Sequence, residues 1–339
     1  MKIWTVELFL LLSPFLLSVP PAYSQVEPRT NPDEVIKTCT ELVVVDAHVL
    51  KRTGETVRGL KKEDFRIFED GVEQQITHFS QDRLPMSIVL LMDISGSTIW
   101  ELIKDRTLRV LERLRPEDEI ALMVFHTEAF LAQNFTKDRA LILESIMHPR
   151  YDYQSTVPLD GTHIADSIYQ AAGQLNKAAN LSSRRVMIVV TDNRPWEKWS
   201  LRSGKAVRNE LFESGAVVYG VVTKGRPYLP GGGLASFTEK WYGLLVERRN
   251  KGGNVNDYAD PTGGIVIDAR EGDLETKLDQ LIDLLRGRYS FGYRPANSAI
   301  DSRFRQTKVK VSREVEKREG KLAIVSRKGY IRRGCPQMR

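Results

Sequence analysis

The chain has 339 residues, 41% of them hydrophobic and 28% charged, enough for a sizeable core and for about two domains. Its net charge of +6 comes from Lys and Arg interspersed with Asp and Glu, with no basic block interleaved with aromatics, so nucleic-acid binding gets no support. The two cysteines form no Cys-x-x-Cys and the five histidines no cluster, which leaves no zinc-type pattern.

Residues 1–24 read as a secretory signal peptide. Lys2 gives a positive start, 8–19 an apolar core, and Ala22-Tyr23-Ser24 a small-x-small cleavage pattern before Gln25. The apolar run falls short of the ~20 residues of a spanning helix, and no later segment is long enough. The mature chain is therefore expected to start near Gln25, to carry no membrane span, and to be secreted, periplasmic or held at the cell surface. Residues 25–40 are a polar, flexible lead-in.

Residues 41–83 read as strands. "ELVVVDAHVL" is β-rich, Thr53-Gly54 marks a turn, and Asp70-Gly71 separates two extended runs as a hairpin turn would. From 85 the pattern changes. "MSIVLLMD" is a continuous apolar run of the kind that parallel strands show when both faces are covered. A helix is expected from Ile99, Leu102, Ile103, Leu108, Leu111 and Leu114. "EIALMVFH" is a strand, "EAFLAQNF" a short edge strand, and "KDRALILESIM" and "HIADSIYQAAGQLNKAA" are helices. "RRVMIVVTD" is a second buried strand, "EKWSLRSGKAVRNELFESG" a helix, "AVVYGVVT" and "GGIVID" strands, and 273–288 a closing helix. This alternation predicts a doubly wound α/β domain with a mostly parallel sheet over 85–288. Residues 224–262 interrupt it as an insertion, and Gly231-Gly232-Gly233 reads as a loop.

Residues 289–333 return to β character in "TKVKVSREV" and "KLAIVSRKGYI". Neither flank has enough strands to stand alone, since isolated hairpins are marginal in water. A single β-sandwich-like domain, built from 41–83 and 289–333 with the α/β domain inserted between them, is expected. Cys39 precedes its first strand and Cys335 follows its last, so a disulfide across the two ends is the expectation for an exported chain.

The chemistry concentrates in "SIVLLMDISGST". A buried strand ends in Asp93, and Ser95 and Ser97 follow at alternate positions. A second strand, "RVMIVVTD", ends in Asp192, and Thr162 stands at a helix start in "LDGTHIAD". Singly, these are turn or cap residues. In doubly wound sheets, however, sites form beyond the carboxyl ends of the strands at the switch point, where both carboxylates would meet. Two carboxylates and three hydroxyls make an all-oxygen set suited to a hard cation, Mg²⁺ first, with Mn²⁺ or Ca²⁺ as alternatives.

These residues resemble the von Willebrand factor type A domain. "DISGST" matches its D-x-S-x-S motif, Thr162 its threonine loop, and Asp192 its distal aspartate. The resemblance implies a metal-ion-dependent adhesion site with Asp93, Ser95, Ser97, Thr162 and Asp192 as metal ligands. Asn193 stands where many members have Gly, a change expected to alter the turn after Asp192 rather than the ligand. The flanks "GETVRGLKKEDFRIFEDG", "RYSFGYRP" and "RKGY" are similar to those of the secreted "VWFA-related" proteins of Acidobacteria.

The expectation is then a non-enzymatic, metal-dependent binding module whose ion bridges to an acidic side chain on a partner protein. The alternative is a metal-dependent surface hydrolase. There is no G-x-S-x-G, and neither His126 nor His163 has an orienting partner recognisable in the sequence. "RSGKAV" lacks the features of a phosphate loop.

Overall fold

The computed structural model describes residues 42–81, 84–94, 111–148, 162–180, 183–193, 200–223, 253–269, 274–297 and 301–331. The signal segment, both cysteines, Ser95, Ser97 and residues 224–252 lie outside them, as does most of the helix expected over 99–114. All described residues belong to one compact unit, Glu41–Arg339.

Four strands come first: β1 (Val43–Lys51), β2 (Phe65–Glu69), β3 (Val72–Gln74) and β4 (Ile76–Gln81). The α/β body follows, with β5 (Met86–Asp93), β6 (Glu119–Phe125), β7 (Ala129–Thr136), β8 (Arg184–Thr191), β9 (Val217–Thr223) and β10 (Val266–Ala269). Its helices are α1 (Arg139–Met147), α2 (Ile164–Leu175), α3 (Gly204–Ser214), α4 (Asn256–Thr262) and α5 (Leu274–Arg286). The tail holds β11 (Tyr289–Tyr293), β12 (Phe304–Val311), α6 (Arg313–Glu319), β13 (Leu322–Ser326) and β14 (Gly329–Ile331).

The central sheet has the order β10-β9-β8-β5-β6-β7. Every pairing is parallel except that of β7, the edge strand expected from "EAFLAQNF", which runs antiparallel to β6. All eight residues of β5 are buried because both faces of the sheet are covered. Ile88, Leu90 and Met92 pack with Leu278, Leu281 and Leu285 of α5, whereas Val89 and Leu91 meet Ile164, Ile168 and Leu175 of α2. Burying each such side chain contributes roughly 1.5–3 kcal/mol, which is why this apolar run is central and cannot slip in register. The chain leaves β5 for β6 on one side and reaches β8 on the other, so the switch point lies between β5 and β8.

Two antiparallel sheets combine both flanks, β13-β1-β11-β4 and β14-β12-β2-β3. Val43 pairs with Tyr293, and Phe65 with Val311. Their shared core contains Val45, Val49, Phe65, Ile67, Phe291 and Val309, with the Phe65 ring 4.7 Å from Phe291 and 4.9 Å from Tyr289. The Asp70-Gly71 turn joins β2 to β3 with φ of 48° and 86°, the left-handed pair that a two-residue hairpin requires. The sandwich also touches the α/β body: His48 on β1 meets the Tyr219 hydroxyl on β9 at 2.8 Å, and Lys328 donates its backbone N–H to the Pro261 carbonyl at 3.0 Å.

Three expectations need correction. The end of the segment read as the 224–262 insertion is helical: Val255, Tyr258 and Ala259 are buried against β9, which holds α4 despite Pro261. "SREV" does not continue the strand, because the Ser312 side chain accepts from the Val315 N–H and caps α6. Ser200 to Ser203 precede α3 rather than forming part of it, and Ser203 caps the helix. Among the described residues no helix is long and apolar enough to cross a membrane.

Candidate metal centre

Asp93 is the last residue of β5 and is 1% exposed. Burying a carboxylate at a strand end is costly unless a donor or a cation faces it. One donor comes from the neighbouring strand, where β8 runs in register and the Thr191 hydroxyl donates to Asp93 Oδ2 at 2.6 Å. Asp192 follows immediately and is half-buried. The switch point thus has one acidic residue at the end of each strand.

The turn after Asp192 explains Asn193. Its φ is 58°, in the left-handed region that Asn tolerates better than most residues. Its N–H donates to the Thr191 hydroxyl at 3.0 Å, and its Oδ1 accepts from the Val255 N–H at 2.9 Å. Thr191 therefore links the Asp93 carboxylate to the backbone that carries Asp192, while Asn193 ties this turn to the start of α4. Sequence reasoning singled out neither contact, and Thr191 read only as another strand residue.

Thr162 is buried, at 4% exposure. It sits one residue before the helix cap, a position taken by His163 without a side-chain cap bond, so capping does not account for the Thr162 hydroxyl. The His163 N–H donates to the carbonyl of His126, which follows the end of β6, at 2.9 Å. Because β6 pairs with β5, this bond fastens the Thr162 segment to the edge where Asp93 ends. Asp93 and Asp192 accordingly come from the carboxyl ends of two adjacent strands, and the Thr162 segment is fastened beside the end of a third, β6. Ser95 and Ser97 lie outside the described residues.

Asp166 was not singled out from the sequence. It is buried in the first turn of α2, with Oδ2 3.9 Å from His163 Nδ1 and accepting from the Leu201 N–H at 2.8 Å. The i, i+3 spacing in "HIAD" was the available signal. Burial, reinforced by His163, holds the His126 imidazole below its ordinary pKa even though Glu128 acts the other way.

The described residues contain no group of three or more His, Cys, Asp and Glu suited to a metal. A centre at this edge has two carboxylates and must otherwise draw on hydroxyls, and that donor chemistry fits a hard, partly hydrated cation.

Residues 88–194 match the family model of the von Willebrand factor type A domain, a span that includes all five candidate ligands. Among solved structures, the conserved hypothetical protein BatB from Bacteroides thetaiotaomicron is similar at 17% identity and a TM-score of 0.43, covering 59% of this chain and 99% of its own. The von Willebrand factor A domain of SpRpn10 is similar at 15% identity and a TM-score of 0.35, covering 58% and 94%. Proximal thread matrix protein 1 from the mussel byssus, solved with a zinc-occupied metal-ion-dependent adhesion motif, aligns at 15% identity and a TM-score of 0.41 over 64% and 50%. A comparison with curated proteins gave no match.

Proposed function

Taking the chain as one that carries a von Willebrand factor type A domain, we propose that it is an exported, non-enzymatic binding protein that captures an acidic group of a partner protein at the carboxyl edge of the central sheet. The observation that supports this reading is that Asp93 and Asp192 end the paired strands β5 and β8 on either side of the switch point, with Thr191 orienting the first. Asp93 and Asp192, with the hydroxyls of Ser95, Ser97 and Thr162, would hold a divalent cation, Mg²⁺ in the first instance. When bound, it supplies an electrophilic position for a carboxylate oxygen from outside the chain.

The chain's own residues set the conditions for this. Thr191 fixes the rotamer of a buried carboxylate, and the Asn193 turn places Asp192 at the strand end. The His163–His126 backbone bond keeps the threonine segment against the sheet. Two carboxylates balance a divalent charge without saturating its coordination. The signal-like residues 1–24 support export.

One observation favours the second reading, a metal-dependent surface hydrolase: Asp166 stands near His163 and could orient it. At 3.9 Å the two are beyond hydrogen-bond distance, and no activated nucleophile accompanies them among the described residues.

The experiment has two parts. Calorimetric titration of Mg²⁺ into EDTA-stripped mature chain is expected to give one saturable site, lost in Asp93→Ala. A partner captured from surface extracts of the source organism in Mg²⁺ is expected to be released by EDTA and missed by Asp93→Ala. Capture that survives both treatments would place the binding surface elsewhere. Turnover of a substrate abolished by His163→Ala would favour the hydrolase.

A further inference from the structure

The opposite edge of the central sheet holds a second concentration of charge. Arg184 opens β8, Asp46 lies on β1, Arg288 immediately precedes β11, and Arg327 connects β13 to β14. Together with Arg185 and Glu213 they line a cleft of about 350 Å³ between the α/β body and the sandwich. This edge lies at the amino ends of β8 and β9. At ~3.3 Å per residue, the length of β8 separates it from the candidate metal centre by roughly 23 Å.

The charges in this cleft do not balance. Among the described residues, four arginines and two acidic residues line it, a surplus of two positive charges. Arg288 is the most telling of them. It is 1% exposed and donates from Nη2 to Asp46 Oδ2 at 2.7 Å, yet its Nε and Nη1 are buried with no hydrogen-bond partner. Buried donors, charged ones above all, are almost always satisfied in folded proteins. Arg327 spends its donors on the Ala216 and Phe212 carbonyls at 2.9 and 3.4 Å, neither of which neutralises it. Burial, more than the crowding by Arg288, pulls the Arg327 pKa down to about 10, against the opposing pull of Asp46.

We infer that this cleft is an anion site that takes a dianionic phosphoryl group, with the Arg288 and Arg327 guanidinium groups supplying the neutralising charge. A dianion cancels the surplus where a single carboxylate would leave one charge over, and planar guanidinium donors match phosphoryl oxygens. The cleft exceeds orthophosphate in size, so the ligand class is a small organic phosphate. The site is distinct from the candidate metal centre in position and in chemistry.

The test uses the mature chain in EDTA at constant ionic strength, with orthophosphate and methyl phosphate as probes and acetate as the monoanionic control. Saturable binding of both phosphates is expected, with acetate at least 10-fold weaker. Arg327→Gln is expected to weaken phosphate binding at least 10-fold. The paired substitution Asp46→Asn with Arg288→Met removes a buried ion pair together and is expected to do the same, so it decides the matter if the single variant misfolds. Asp93→Ala is expected to keep full phosphate affinity, which separates this site from the fate of the metal reading. Absence of saturable binding, equal affinity for acetate, or unchanged affinity in both arginine variants would overturn the inference.

Discussion

Replacing Thr191 with Val tests the architecture of the metal edge with almost no change of shape. Thr191 is fully buried, so the added methyl meets the same neighbours while two hydrogen bonds vanish. The first runs from the hydroxyl to Asp93 Oδ2 at 2.6 Å, and a bond to a charged group is worth about 1.5–3 kcal/mol. The second is accepted from the Asn193 N–H at 3.0 Å, a neutral bond worth about 0.5–1.5 kcal/mol. Together they predict a loss of about 2–4 kcal/mol in EDTA, read as a lower midpoint of urea unfolding at unchanged slope. Thr191→Ser keeps the hydroxyl and is expected to lose much less, because only a methyl leaves. In Mg²⁺ the Val variant is expected to bind the ion about 10-fold more weakly, the effect of removing a group that orients a ligand. A Val variant within ~0.5 kcal/mol of the parent would refute the claim that Thr191 organises this edge.

Acid should weaken the junction in two steps. Burial and then Arg288 hold His48 well below its ordinary value near 6.5, so the unfolded chain binds this proton first and stability falls as the pH drops below that value. The slope approaches about 1.4 kcal/mol per pH unit and should flatten in His48→Gln; an unchanged slope in that variant would show that His48 is not the group responsible. Burial alone would raise Asp46, but Arg288, Arg184 and the Ser290 hydrogen bond outweigh it and hold its pKa below the ordinary carboxylate value. Its contribution is present above the unfolded pKa and lost as the pH falls through the folded one, at still lower pH. Gly264→Ala should destabilise by more than ~3 kcal/mol, because the new Cβ would run into the Val218 carbonyl, a backbone atom that cannot turn aside. A thermal midpoint equal to that of the parent would contradict it.

The legible parts of the sequence were those in which local pattern and tertiary role coincide. "MSIVLLMD" and "RRVMIVVT" are apolar without alternation because helices cover both faces of β5 and β8, and this brought Asp93 and Asp192 to one edge in the reading as in the fold. Asp70-Gly71 was legible because its turn type restricts the residues that can form it. α4 was hidden by Pro261 and the neighbouring glycines, and the burial of Val255, Tyr258 and Ala259 against the sheet holds it. "KLAIVSRKGYI" reads as one strand but divides at Arg327 between two sheets, β13 beside β1 and β14 beside β12. That division depends on partners far along the chain. The arginine cleft was illegible for the same reason, since Asp46, Arg184, Arg288 and Arg327 are brought together only by tertiary structure.

The interleaving of the flanks imposes an order on the birth of the molecule. β1 cannot pair until β11 and β13 exist, and β2, though it can pair with β3 at once, must wait for β12 on its other edge, while the parallel sheet between them can close on its own schedule. At ~5–20 residues per second of synthesis, β1 stays unpaired and β2 keeps one edge open for roughly 10–50 s, exposed to any other extended segment. The last strands to emerge act as the clasp. A protease nick that releases the stretch after Tyr293 would strip neighbours from β1 and β2 together, so a single cut would take the edge strand from one outer sheet and leave only the β2–β3 hairpin of the other.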